Sequence, residues 1–93
     1  MSLETLVSRY IASAEHVLEK LKVSEACANA HPERVSEVVG SAKAYLQDAK
    51  YYRNEGKLEV SLTSVAYCEG LLDALRMLGM VKFKWPAKKK REK

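Results

Sequence analysis

Cysteine, histidine, proline and glycine are all scarce in this chain. Two cysteines and two histidines occur in 93 residues. Cys27 and Cys68 form no CxxC pair, and neither stands near a histidine at zinc-ligand spacing, so a structural zinc site is excluded. Two thiols make no disulfide framework. They read as reduced, partly buried small hydrophobes, with a disulfide between the first and third helices as the alternative. His16 and His31 have no Cys, Ser or Asp in a recognisable catalytic order, so both read as surface or structural residues. Gly56, Gly70 and Gly79 follow no strand and open no phosphate-cradling loop. The chain is therefore not expected to be an enzyme acting alone, and no cofactor is implied. No apolar run approaches the roughly 20 residues that span a bilayer, so no membrane association is expected. The N-terminus has no basic stretch followed by an apolar one, so no signal peptide is expected and a cytoplasmic protein is.

What the chain has is helix-forming pattern. Hydrophobic residues make up 47% and charged residues 30%, a globular composition for one domain. The net charge of +4 is unevenly placed. From Lys82 to Lys93 there are seven basic residues and one acid, while residues 1–81 hold 9 basic and 11 acidic residues. The body is mildly acidic and the end is a basic tail, which argues against a basic folded face.

Three segments keep helical spacing. In the first, about 2–28, Leu3, Val7, Tyr10, Ala14, Val17, Leu21, Ser24 and Ala28 share one face, with Ser2 as N-cap. Pro32 ends one helix and suits the first turn of the next, with Asn29 or His31 as its cap. The second, about 32–55, carries Val35, Val38, Val39, Ala42, Leu46 and Ala49, and its Gly40 suggests a close helix crossing. Gly56 is a stop in the left-handed conformation. The third, about 58–78, carries Leu58, Leu62, Val65, Ala66, Cys68, Leu71, Leu72, Leu75 and Leu78 as one apolar set and stops at Gly79. A tight turn at Gly56 makes an antiparallel hairpin in which residue numbers summing to about 113 face each other. The expected fold is all-α: an antiparallel three-helix up-down-up bundle over residues 1–81 with a short basic C-terminal tail, 82–93. Val81, Phe83 and Trp85 alternate with Lys82 and Lys84, the period of an extended arm whose apolar side either packs back on the bundle's end, the ordinary reading, or awaits a partner. Residues 87–93 are expected to be disordered.

The run from Ala42 to Lys57, AKAYLQDAKYYRNEGK, and that from Ser64 to Gly79, SVAYCEGLLDALRMLG, resemble the archaeal family called domain of unknown function 357. The resemblance covers about residues 10–83 and is strongest from Tyr45 to Gly79. It implies a small helical protein, in some members joined to nucleotidyltransferase-like domains, and brings no catalytic residues with it. Tyr52, Gly56 and Ala66 also echo the spacing of a tetratricopeptide-type hairpin, in a single copy where a solenoid needs about three.

Three functional readings follow. The preferred one is a non-catalytic protein–protein interaction or accessory module, pairing with a protein partner or as a homodimer through the small-residue face of the third helix. The second is RNA binding by the tail, with Lys82, Lys84, Lys88, Lys89, Lys90 and Arg91 on phosphates and Phe83 and Trp85 stacking on bases. The third is a small-ligand or nucleotide site at Tyr45, Asp48, Tyr52, Tyr67, Glu69 and Asp73, where tyrosines and carboxylates share helix faces. The ordinary reading of that last set is a solvated helix face.

Overall fold

The computed structural model describes residues 1–29 and 31–86. These form four helices and a two-stranded ribbon. The helices are α1 (Leu3–Lys20), α2 (Glu25–Asn29), α3 (Pro32–Asn54) and α4 (Leu58–Met77). The strands, β1 (Lys22–Val23) and β2 (Val81–Lys82), pair antiparallel with Lys22 opposite Lys82 and Val23 opposite Val81. The all-α class holds. The three-helix expectation does not: the first segment breaks at Lys20.

That break has a tertiary cause. Leu21 turns extended, at φ −62° and ψ 150°, and the next two residues pair with the chain returning after α4. The Ser24 N–H donates to the Met80 carbonyl at 2.9 Å. The Ser24 hydroxyl donates to the Gly79 carbonyl at 2.6 Å and accepts from the Cys27 N–H at 3.3 Å, so it caps α2 and ties it to the end of α4. Leu21, Ser24 and Ala28 keep helical spacing, and neither Gly nor Pro marks the break, so periodicity alone runs one helix through it. Ser24→Ala should cost about 1–2 kcal/mol in urea unfolding, through a lost cap and an orphaned carbonyl.

The ends of the long helices follow from local chemistry. Ser2 caps α1, its hydroxyl accepting from the Thr5 N–H at 3.1 Å. Pro32 opens α3, and His31 occupies the cap position without a side-chain hydrogen bond. Gly56 and Gly79 have φ of 76° and 78°. After each, a 6→1 bond (Lys57 N–H to Tyr52 carbonyl, Met80 N–H to Leu75 carbonyl) closes the helix end.

The main core joins α1, α3 and α4. Val7, Ile11, Ala14 and Val17 pack on Ala42, Leu46, Ala49, Val65, Cys68 and Leu72. The Ser61 hydroxyl, fully buried, donates to the Ala49 carbonyl at 2.6 Å, and Tyr45 meets Tyr67. The hairpin pairing therefore sums to about 110–112, slightly off the expected register. Lys50 pairs with Glu15, and the Arg53 guanidinium reaches the Ser8 hydroxyl, which ties α3 to α1. A second, smaller cluster of Cys27, Val35, Leu75 and Val81 seals the end under the ribbon. The two buried thiols are free and lie in separate clusters, so the alternative of a disulfide is not realised.

A Cβ placed on Gly40 would meet nothing within 4 Å. The expected close crossing at Gly40 is therefore absent, and the residue is exposed. The molecule measures 43 × 29 × 17 Å. The thin dimension is about two helix layers, since packed helices lie 8–10 Å apart. One layer is the α3–α4 hairpin. The other is α1 with the returning chain.

Candidate functional site

The tyrosine–carboxylate set is divided among separate contacts. Tyr45 on α3 and Tyr67 on α4 meet edge to face, ring centroids 4.5 Å apart, and both are exposed. Tyr52 packs on its neighbour Tyr51 at 5.1 Å. Asp48 is exposed. Asp73 accepts from the Trp85 indole N–H at 2.7 Å and from the Arg76 guanidinium at 3.3 Å. Glu69 is half-buried beside Cys68. Burial pushes the Cys68 thiol from 9.0 up to about 12, with the Glu69 charge adding to the rise. At neutral pH Cys68 is a protonated core residue and not a nucleophile. Among the described residues, no three His, Cys, Asp or Glu are grouped to hold a metal ion. Among them, too, no helix is long and apolar enough to cross a membrane.

The described part of the basic arm ends at Pro86. Val81 is buried, Phe83 and Trp85 are half-buried, and Lys82 and Lys84 are exposed. Phe83 and Trp85 stack edge to face at 5.1 Å and pack on the main core, with the Arg76 guanidinium 6.0 Å from the Phe83 ring centre. The indole hydrogen bond to Asp73 fixes the arm along α4. The rings are thus part of the fold, and the lysines point away from it. Lys88, Lys89, Lys90 and Arg91, like the expected disorder of residues 87–93, lie outside the described residues.

The hairpin has a second face. Its buried positions, Ser61, Val65, Cys68, Leu72 and Leu75 on α4, are spaced 4-3-4-3. One residue earlier runs a parallel stripe: Val60, Ser64, Tyr67, Leu71, Ala74 and Leu78. On α3 the matching stripe is Arg34, Val38, Ser41, Tyr45, Asp48 and Tyr52. Every one of these residues is exposed or half-exposed; Tyr67 is 54% exposed and Leu78 70%. The Tyr45–Tyr67 contact sits in the middle of the face. At one end Val35, Val38, Leu75, Leu78 and Met80 line an open apolar hollow of about 420 Å³, with His31 and Arg34 as its polar members. No described element covers this face, because α1 packs on the other one.

Sequence reading singled out the tyrosines and the small residues of α4, but it counted Val38, Leu71 and Leu78 among the core-facing residues and passed over Val60; the structure leaves all four exposed or half-exposed on one surface. The signal was present as a second 4-3 stripe, offset by one position from the buried one. It also missed Lys22, which only the β1–β2 pairing brings beside Lys82.

These features define a small two-layer helical domain with an uncovered aromatic face on its longest hairpin. The chain belongs to the family described as Protein of unknown function (DUF357), whose model matches residues 9–81. The match takes in α3 and α4 whole and ends at Val81, before Lys82, Phe83, Lys84 and Trp85. No curated protein and no solved structure matches the chain.

Proposed function

We propose that the protein is a non-catalytic interaction module that pairs with a second copy of itself through the outer face of the α3–α4 hairpin. The observation that carries this reading is the exposed Tyr45–Tyr67 pair, set among Val38 on α3 and Val60, Leu71 and Leu78 on the α4 side of the same face. Aromatic residues at the centre of a patch with few charges are what interface cores are made of. Two such hairpins, face to face, complete a four-helix bundle.

The arrangement of charge favours a second copy as the occupant. The α3 stripe carries two charges of opposite sign, Arg34 and Asp48. Each lies seven residues, two helical turns, from Ser41. Neither has an ion-pair partner among the described residues. A two-fold pairing must set the same patch against itself in reverse. If two α3 helices cross antiparallel at the small Ser41, Arg34 of each copy faces Asp48 of the other.

Sedimentation equilibrium tests the reading. The expected mass is twice the 10.5 kDa of the chain. A single-chain mass at every concentration up to the high micromolar range would overturn it.

A further inference from the structure

Lys22 and Lys82 stand directly opposite each other in the β1–β2 pair, and both are exposed. Side chains of directly opposed residues lie on the same face of a strand pair. Like charges placed so repel. Lys84, two residues beyond Lys82, is exposed as well, in a run where Val81, Phe83 and Trp85 are buried or half-buried and Lys82 and Lys84 are not. None of the three lysines has an ion-pair partner among the described residues. Asp73, on the α4 face that the arm packs against, is engaged by Trp85 and Arg76. Opposed cations without an ion-pair partner among the described residues are stabilised by an external anion. The chain then continues into a segment with Lys88, Lys89, Lys90, Arg91 and Lys93 against a single acid.

We propose that Lys22, Lys82 and Lys84 form an ordered ridge that binds the phosphodiester backbone of a nucleic-acid duplex without reading its sequence. The packing of Phe83 and Trp85 decides the class of partner. Their rings are held on the core and by Asp73, so they are not presented to bases, and the stacking that favours single strands is lost. A contact made through phosphates alone is strongest where phosphates are densest, which is the duplex. The same packing disfavours a lipid surface, since the rings are not free to add apolar insertion to the attraction of the lysines. The ridge lies apart from Tyr45 and Tyr67 in sequence and on other elements, so it stands whether or not the chain dimerises.

The test is fluorescence anisotropy of short labelled RNA and DNA duplexes titrated with the full chain between about 50 and about 200 mM salt. Affinity should fall steeply with salt and be indifferent to base sequence. The triple variant Lys22→Gln/Lys82→Gln/Lys84→Gln should bind more weakly, with a log–log salt slope shallower by about 3, one for each lost phosphate contact. These substitutions remove a repulsion, so the thermal midpoint should hold or rise, which separates lost binding from lost fold. An unchanged slope in the triple variant, tighter binding to the corresponding single strand, or binding to phosphatidylserine vesicles in place of duplexes would overturn the proposal. Tyr67→Glu should leave the slope per chain unchanged, which separates this result from the fate of the dimer.

Discussion

Tyr67→Glu is expected to leave a folded monomer and to weaken self-association by at least about 100-fold. Tyr67 is 54% exposed in the single chain and touches Tyr45 only at its edge, so the fold loses little when the ring goes. In the dimer the same position is central. A carboxylate there would have to be stripped of water with no cation opposite it, and truncation of a central aromatic anchor alone costs about 2–4 kcal/mol. About 2.8 kcal/mol is a hundredfold in affinity. The readouts are helicity by circular dichroism, which should not change, and mass by sedimentation, which should halve. A variant that remains dimeric would place the interface elsewhere.

Trp85→Ala is expected to cost about 2–3 kcal/mol of unfolding free energy. A fully buried Trp truncated to Ala costs about 3–5 kcal/mol, and Trp85 is only half-buried. To the lost packing against Phe83 and the main core is added the hydrogen bond to the Asp73 carboxylate, a charge-assisted one. Trp85→Phe should recover most of the packing and lose the charge-assisted hydrogen bond, leaving a deficit of about 1.5 kcal/mol. Equilibrium unfolding in urea measures both. A Trp85→Ala protein as stable as the parent would mean that the arm does not contribute to the fold.

The arm was legible only in part. Its charge is visible at a glance, and seven basic residues in a row of twelve read as a tail. The period-two alternation of Val81, Phe83 and Trp85 is legible too, but its destination depends on a contact made by Asp73 twelve residues before Trp85. The β1–β2 pairing was hidden for the same reason. Lys22 and Val23 have no strand signal of their own, and the ribbon exists because Ser24 bonds to Gly79 and Met80, more than fifty residues away. Local features were legible. The Ser2 cap, the Pro32 start and the two glycine stops each depend on neighbours within a few residues, and each stands where residue type puts it.

The candidate site was half legible for a comparable reason. Tyr45 and Tyr67 stand out by residue type, and the hairpin register brings them together to within a residue. Asp48, Glu69 and Asp73 stand out equally, yet only three-dimensional placement assigns Asp73 to Trp85 and leaves Asp48 exposed. A helix that buries one 4-3 stripe and exposes another beside it looks, in composition, like a helix with one broad apolar face. Only the position of α1 separates the two.

A charge-swap cycle at Arg34 and Asp48 tests the proposed pairing most directly. Sedimentation equilibrium would be run on the parent, on Arg34→Glu, on Asp48→Arg and on the double variant. Each single change sets like charges against each other across the two-fold axis and is expected to weaken the dimer by roughly 10-fold, at about 1.4 kcal/mol per decade. The double change restores opposite charges and is expected to return the affinity to near that of the parent. A double variant no tighter than the weaker single, or a parent that sediments as a single chain, would contradict a dimer built on the outer face of the α3–α4 hairpin.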